Sequence, residues 1–543
     1  MKQTKAIFIA KLQRLILNPW VGAAFVASLL VATPVLIIFP EVLASSDEVW
    51  SHIVRNLLPA YVQNTIWLML GVAVLTFLLG VSTAWFVSMY HFAGRRFFEW
   101  ALILPIAIPG YINGFTWAGM LDFTSPVYVW LRSTFGINTG PYLYFDILSL
   151  PGAIFILSVS LYPYVYLIAR TWFMRQSHTL IEASASLGRS PFNTFFSTAL
   201  PLARPAIVAG VSLVLMEVLN DYGLVRYYEV HTFTTGIFKA WFSFGNPQAA
   251  MRLSAFLMVL VLGLIWLERY QRGSMRFDQT SGNFKPAKVY RLRGLWSAFA
   301  FVICMLPLLA GFLLPAAMLI WWSLQTAASV VDQRFWALLQ NSFLLAGTAS
   351  LLVVGIAVLV AYAVRSFPNR VVKLLARIAT LGYALPGAVV AIGIMVAFMW
   401  FDSQAIMMLL TGTWAVLIYA YAVRFMAVGY NSIDAGMARL SPSLDEASRS
   451  LGRSGSKTLT TVVLPLIKGP LLSAALLVFI DVLKELPLTL ILRPFNFDTL
   501  AIRAFEFASD ERIAQAAPAA LIIILVGLVP VYILNRMLIR ETR

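Results

Sequence analysis

The stretch EASASLGRS at residues 182–190 returns almost unchanged as EASRSLGRS at residues 446–454. The two copies differ only at their fourth position, where Ala185 of the first copy corresponds to Arg449 of the second. They are offset by 264 residues, from 182 to 446. Both are small and polar, in a chain that is 60% hydrophobic and only 12% charged. A polar stretch present twice in so apolar a chain indicates a duplicated functional surface.

The composition indicates a membrane protein. Soluble domains average about 45–50% apolar and about 25% charged residues, so a soluble chain of 543 residues with this composition could not cover its surface. The chain also holds many uncharged apolar runs long enough to cross a bilayer, which takes about 20 residues each. The net charge of +16 does not indicate nucleic-acid binding, because the basic residues lie in short loops between apolar runs. We therefore predict an all-α polytopic membrane protein whose partner surface is the lipid bilayer.

The apolar runs predict about twelve transmembrane helices. They cover residues 20–42, 62–90, 99–119, 151–173, 200–220, 250–268, 296–322, 342–364, 374–400, 406–430, 464–492 and 517–535. Basic residues concentrate in alternate gaps, which places those gaps and both termini in the cytoplasm. Arg424 and Arg439 are counted with the cytoplasmic gap after the tenth span, and the polar, basic segment 269–294 is predicted to be a cytoplasmic linker.

The repeat extends over both halves of the chain. At the offset of 264, Glu217 and Asp221 correspond to Asp481 and Glu485. Nearer the start of each half the offset is 277, and IPGY at 108–111 corresponds to LPGA at 385–388. Halves with the same order and an even number of spans enter the membrane with the same polarity, which is a parallel repeat. We predict two six-helix modules, residues 1–268 and 295–543, joined by the linker 269–294.

Each polar stretch has the pattern of a short helix that ends at a glycine. Ser441 before Pro442 is an N-cap followed by a first-turn proline, and Gly188 and Gly452 suit a left-handed helix end. The residues between are small, so the helix could approach another surface closely. An ordinary re-entry loop remains the alternative, although a generic loop has no reason to be nearly identical in two divergent halves.

The chain lacks ATP-binding machinery of its own. GRSGSKT at 452–458 departs from a phosphate-binding loop at Ser456, and no buried strand precedes it. No metal-ligand or hydrolase motif is found either. We predict a chain that is not an enzyme, binds no cofactor and holds no metal site.

The stretch E-A-S-x-S-L-G, followed by Leu-Pro at 200–201 and 464–465, resembles the EAA loop of binding-protein-dependent ABC transporter permeases. This chain departs mildly from that pattern, with serine as the third residue and Thr198 or Val462 in place of the usual isoleucine. The resemblance covers about 60–268 and 338–535. It implies that each loop forms a coupling helix that docks on an ATPase subunit. The implied docking residues are Glu182, Ala183, Ser184 and Gly188 in the first loop and Glu446, Ala447, Ser448 and Gly452 in the second.

The same resemblance implies the partners and the location of the chain. The partners would be two ATP-binding cassette subunits, which use the ATP, and a periplasmic substrate-binding protein, and the location would be the inner membrane. The stretches 104–119, 220–250 and 481–517 further resemble the fused permeases of bacterial ferric-iron uptake systems. The resemblance therefore implies ferric iron as cargo.

Four acids near the membrane are candidates for the translocation path, because an ionisable group within a span is costly and by default functional. They are Glu217, Asp221, Asp481 and Glu485. Pairing with Lys484, Arg226 or backbone groups is the alternative for them. Two Pro-Gly pairs in matching spans, Pro109-Gly110 and Pro386-Gly387, break the helical hydrogen-bond ladder and are candidate hinges; a static kink is the alternative there.

Two other functions stay open at this point. A permease of the same class could carry thiamine or a phosphonate, because the binding protein largely sets the cargo. An ion-driven secondary transporter with a parallel repeat is the second alternative, and the duplicated docking loops argue against it.

Overall fold

The computed structural model describes residues 18–40, 47–122, 125, 129–130, 133–134, 146–175, 184, 188, 190–272, 290–401 and 413–541. The described part is almost entirely helical. It contains nine helices that are long and apolar enough to cross a membrane, or up to twelve if each of three bent helix pairs is one span. The predicted all-α polytopic fold is confirmed.

The described helices of the first half vary in length from 4 to 32 residues. They are α1 (Pro19–Leu36), α2 (Glu48–His52), α3 (Leu58–Met89), α4 (Arg95–Ala101), α5 (Gly110–Leu121), α6 (Leu150–Arg175), α7 (Pro191–Thr194), α8 (Leu200–Asn220), α9 (Gly223–Tyr227), α10 (Phe233–Phe238) and α11 (Pro247–Arg272). A two-residue strand, β1 (Tyr90–His91), pairs in parallel with β2 (Tyr290–Arg291).

The second half repeats the pattern of long and short helices. They are α12 (Leu295–Leu308), α13 (Leu314–Val330), α14 (Gln333–Ser366), α15 (Arg370–Ala379), α16 (Gly387–Phe401), α17 (Trp414–Ala438), α18 (Ser443–Ser450), α19 (Gly455–Thr458), α20 (Leu464–Leu466), α21 (Lys468–Leu483), α22 (Pro487–Leu492), α23 (Leu500–Ser509) and α24 (Ile513–Glu541). Short π-helical or 3₁₀ segments join several of them: Ile53–Leu57, Leu104–Ala107, Phe195–Ala199, Lys239–Ser243, Leu309–Leu313, Leu381–Ala384 and Leu459–Val463.

Two spans break at the Pro-Gly pairs. The segments Arg95–Ala107 and Gly110–Leu121 meet at 93°, and Arg370–Ala384 and Gly387–Met399 meet at 112°. A proline pushes the preceding residue out of the α region, and both preceding residues are extended: Ile108 has φ −98 and ψ 112, and Leu385 has φ −87 and ψ 133. The breaks therefore lie where the sequence predicted them.

A third break was not predicted. Gly455–Leu466 and Lys468–Leu483 meet at 81°, where the sequence indicated one span over 464–492. Pro470 explains the break, because a proline ring clashes with the carbonyl four residues earlier, here that of Leu466. Ile467 leaves the helical conformation, with φ −103 and ψ 23.

The tenth span also differs from its prediction. The sequence indicated 406–430, whereas the helix is Trp414–Ala438; residues 402–412 lie outside the described ones. The assignment of Arg424 to a cytoplasmic gap is wrong, because Arg424 is buried within this helix.

The chain forms two compact units that are not contiguous in sequence. Unit 1 consists of Met1–Asp47, Ile237–Ala255 and Gln333–Ile502, and unit 2 consists of Glu48–Gly236, Phe256–Asp332 and Arg503–Arg543. This grouping differs from the modules 1–268 and 295–543, which describe the sequence repeat.

In unit 1, α1 packs on α14, α15 and α16. Its Ser28 hydroxyl donates to the Leu375 carbonyl at 2.7 Å, and Val21, Ala24 and Ala27 join the core of the second-half helices. Helix α1 is thus buried against helices more than 300 residues away in sequence, and an amphipathic pattern does not identify such a partner.

In unit 2, α3 and α6 pack along each other and are joined by α8. The core contains Trp85, Tyr162, Tyr166 and Phe173. Cys304 is buried in the same core.

Candidate functional site

The second polar stretch forms a helix–glycine–helix loop. Asp445 and Glu446 lie in the first turn of α18, where the helix dipole favours negative charge. Gly452 follows with φ +75, the left-handed conformation that the sequence predicted. Ser454 then caps α19, because its side chain accepts a hydrogen bond from the Lys457 amide.

The start of α18 differs slightly from its prediction. The helix begins at Ser443 rather than at Pro442. The Ser441 hydroxyl nevertheless accepts from the Ser443 amide at 3.3 Å, so a serine stabilises the start of the helix as expected for this residue type.

The two faces of α18 differ in their surroundings. Ser448 is buried, and its hydroxyl lies 2.8 Å from that of Thr458 on α19. The Tyr362 hydroxyl donates to the Gly455 carbonyl at 2.9 Å, which fixes α19 on α14. Glu446 and Ala447 are exposed, and Leu451 is 79% exposed. The loop therefore presents a carboxylate, a methyl group and a leucine to a partner.

The described residues of the first loop repeat this geometry. Ser184 is buried, with its hydroxyl 3.0 Å from that of Thr194. Gly188 is left-handed, with φ +77, and the Ser190 hydroxyl accepts from the Asn193 amide at 3.3 Å. Glu182 and Ala183 lie outside the described residues.

The serine–threonine contact was missed at the level of sequence. Thr194 and Thr458 are related by the same offset of 264 as Ser184 and Ser448, so the signal was present. The contact joins the short helix to the segment that leads into the next span, and it sets which side of the helix stays exposed.

Glu485 forms a buried ion pair at the second Pro-Gly break. Its carboxylate lies 3.4 Å from Arg424 Nε, and the two side chains are only 6% and 7% exposed. Glu485 also accepts from the Leu488 amide at 3.2 Å. A Cβ at Gly387 would lie 2.5 Å from Arg424 Nη1 and 2.7 Å from Glu485 Oε1. A side chain at position 387 would therefore displace the ion pair.

The corresponding acid of the first half has different partners. Asp221 accepts from the Val225 amide at 3.1 Å, and its own carbonyl accepts from the Thr234 hydroxyl at 2.8 Å. A Cβ at Gly110 would lie 3.6 Å from Asp221 Oδ1. In both halves the acid thus lies beside the helix break. The residue of the first half that corresponds to Arg424 at the offset of 264 is Ser160, which carries no charge.

The other two candidate acids lie one helical turn earlier. Asp481 pairs with Lys484 at 2.9 Å, as the alternative reading allowed. Glu217 is half-buried in the last turn of α8, where its carbonyl accepts from the Asp221 amide. In the described part of the chain, no group of three or more His, Cys, Asp or Glu side chains is arranged to hold a metal ion.

Arg424 is the residue that the sequence analysis placed wrongly. The run IYAYAVRFMAVGY at 418–430 contains one charge in an otherwise uncharged stretch. An intramembrane charge of this kind predicts a buried partner, and that signal could have identified it.

Comparison with known proteins gives a consistent result. Residues 76–273 and 353–543 each match the family of binding-protein-dependent transport system inner membrane components. The chain is 29% identical to an Fe(3+)-transport system permease protein of Haemophilus influenzae over 522 residues, which is 94% of this chain and 97% of that protein. It is 25% identical to a ferric transport system permease protein of Actinobacillus pleuropneumoniae over 490 residues, covering 84% of this chain and 66% of that protein.

Proposed function

We propose, from the premise that the chain belongs to the family of binding-protein-dependent transport system inner membrane components, that it forms the translocation path for ferric iron in an ABC importer. It is a fused, two-module permease and a multi-pass inner-membrane protein. As a transport subunit it is not itself an enzyme. The family implies ATPase and substrate-binding partners.

The proposed energy source is ATP hydrolysis on two separate subunits, one docked at each polar loop. The observation that carries this proposal is the repeated loop geometry. Both loops have a buried Ser–Thr contact and a left-handed glycine, and in the second loop these flank a short helix whose exposed face bears Glu446. Two equal loops fit two copies of one partner. This chain then needs no cofactor of its own, since the partners bind the ATP.

The proposed cargo is ferric iron, delivered by a periplasmic binding protein. It is supported by the names of the two relatives, which are ferric transport permeases. We propose that Glu217, Asp221, Asp481 and Glu485 lie along the path, because an ionisable group within a span is costly and by default functional. Lys484 and Arg424 pair with two of them, Asp481 and Glu485. The Pro-Gly breaks lie beside these acids and are the proposed hinges.

Deleting the permease is expected to abolish ferric-iron uptake in a strain that lacks other iron transport systems. The cells would be supplied with radiolabelled ferric iron, thiamine or a phosphonate in parallel, and initial uptake rates would be measured. A plasmid copy of the permease should restore iron uptake alone. Normal iron uptake with loss of thiamine or phosphonate uptake would refute the proposed cargo and leave the importer class intact.

The proposed topology places both termini and residues 269–294 in the cytoplasm, and 221–248 and 493–515 outside. In a Cys304→Ala background, which removes the chain's single cysteine, Asp510→Cys should react with an impermeant maleimide added to spheroplasts. Thr280→Cys should react only after the membrane is opened. Strong labelling of Thr280→Cys in sealed spheroplasts would contradict the orientation.

A further inference from the structure

The side chain of Arg365, in the last turn of α14, holds the segment that leads into α18. Its Nε lies 2.7 Å from Asp445 Oδ2. Its Nη1 donates to the carbonyls of Met437 at 2.7 Å and Leu440 at 3.1 Å, and its Nη2 donates to the Ser441 carbonyl at 3.1 Å. One guanidinium therefore joins the end of α17, the connecting turn and the first turn of α18.

The surroundings make this contact strong and specific. The Arg365 and Asp445 side chains are mostly buried, at 11% and 14% exposed, and charge-assisted hydrogen bonds gain strength where water is excluded. The cation lies at the C-terminal end of α17 and the anion in the first turn of α18, so each helix dipole favours its charge. Lysine could not reproduce the contact, because it lacks the planar fork of five donors.

The residues of the first module at the corresponding positions cannot form this ion pair. At the offset of 277, Ser88 stands where Arg365 stands, and at the offset of 264, Ile181 stands where Asp445 stands. Among the described residues the buried Ser88 hydroxyl has no hydrogen-bond partner. Neither a serine nor an isoleucine can form an ion pair, so the Arg365–Asp445 pair has no counterpart at these positions.

We propose that Arg365 is a positioning residue that fastens the second docking loop to α14, so that displacement of α18 moves α14 with it. The residues at the corresponding positions of the first module cannot form this ion pair, so the two loops would transmit force differently although their sequences are alike. This inference rests on the proposed function, because it requires α18 to be a docking helix.

The link is tested first in the purified full-length permease, without any partner. Amide hydrogen exchange over residues 443–450 is expected to be about tenfold faster in Arg365→Gln, since charged hydrogen bonds of this kind commonly contribute that much protection. Exchange in Arg365→Lys should be faster than in wild type and slower than in Arg365→Gln, because a lysine can keep only the ion pair. Arg370→Gln is the matched control, an exposed arginine five positions later, and it should leave exchange in α18 unchanged.

The second measurement is the ratio of cargo transported to ATP hydrolysed in proteoliposomes containing the whole importer. In Arg365→Gln the ATPase subunits should still co-purify, but the ratio should fall about fivefold or more, the lower end of usual coupling factors. A residue that only stabilised the fold would lower the yield and leave the ratio unchanged. If Arg365→Gln cannot be purified, Asp445→Asn removes the ion pair, keeps the three carbonyl bonds, and should lower the ratio to a smaller extent.

The outcomes separate this inference from the proposed function. Unchanged exchange in α18, or faster exchange with a normal transport ratio, overturns the role of Arg365 while the wild-type importer still works. If the wild-type permease neither binds an ATPase subunit nor supports ATP-driven uptake, the proposed function fails, whatever the exchange of α18 shows.

Discussion

Alanine at both Glu182 and Glu446 is expected to release the ATPase subunits and abolish cargo-stimulated ATP hydrolysis, while the permease still inserts into the membrane. Glu446 is exposed in the first turn of α18, so a carboxylate there is free to meet a basic or polar groove. Charge-assisted hydrogen bonds at such interfaces are worth about 1.5–3 kcal/mol each. Losing both should therefore weaken docking by roughly two to four powers of ten in total, since about 1.4 kcal/mol corresponds to a factor of ten.

The measurement is co-purification of the ATPase with each variant, together with cargo-stimulated hydrolysis. Each single substitution should weaken docking less than the double one, because each loop serves its own subunit. Glu48→Ala is the matched control, an exposed glutamate at the start of another short helix. If the double variant retains full docking and full stimulated hydrolysis, the repeated stretch is only a re-entry loop.

A substitution that alters the backbone of the second loop should also weaken docking of the ATPase. Gly452 is left-handed, with φ +75, and an added Cβ would meet nothing within 4 Å. A Gly452→Val variant therefore meets backbone strain rather than a clash, at a cost of roughly 1–2 kcal/mol. We expect weaker docking than in wild type with an unchanged level of inserted protein.

The sequence predicted those parts of the molecule that depend on local chemistry. Prolines that lack an N–H predicted two helix breaks, and glycines predicted two left-handed helix ends. The internal repeat related the two polar loops, including a Ser–Thr contact that could have been predicted from the same offset.

The parts that the sequence did not predict depend on partners distant in the chain. Arg424 meets Glu485 across 61 positions, and an isolated arginine in an apolar run does not say which acid it will find. Arg365 donates to backbone carbonyls as well as to a carboxylate. Every residue has a carbonyl, so the sequence does not indicate which of them a side chain will contact. The packing of α1 on second-half helices likewise has no local signal, because α1 is uncharged and mostly apolar on all its faces.

Removing one member of the buried ion pair should cost more stability than any other single change considered in unit 1. In Arg424→Ala the Glu485 carboxylate, 6% exposed, would lose its cation. Breaking a buried pair from one side costs about 3–5 kcal/mol, because a charge remains in a medium that does not solvate it. The hydrogen bond that Glu485 accepts from the Leu488 amide, at 3.2 Å, does not neutralise that charge. We expect a low yield and a much shorter half-life of the folded permease in detergent at a fixed temperature.

Three further variants test whether the loss of stability comes from the buried ion pair or from any substitution near the helix break. Lys484→Ala breaks the pair with Asp481, whose members are 29% and 20% exposed, and should have a small effect, since exposed pairs contribute about 0–1 kcal/mol. Arg424→Met combined with Glu485→Leu should recover most of the lost stability, because apolar replacement of both members leaves no buried charge. Gly387→Ala should also destabilise, because its methyl carbon would lie 2.5 Å from Arg424 Nη1 and force the pair apart.

The comparison is made by heating the solubilised variants and following the folded fraction by size-exclusion chromatography, since membrane proteins of this size commonly unfold irreversibly and are compared by rate. Wild-type half-life in Arg424→Ala would show that Glu485 is protonated or solvated in the folded permease and that the ion pair contributes nothing. Failure of the double apolar variant to recover, with Lys484→Ala unaffected, would instead show that the charges are needed for the Pro386–Gly387 break itself. In that case the ion pair determines the bend between α15 and α16 and is not merely compatible with it.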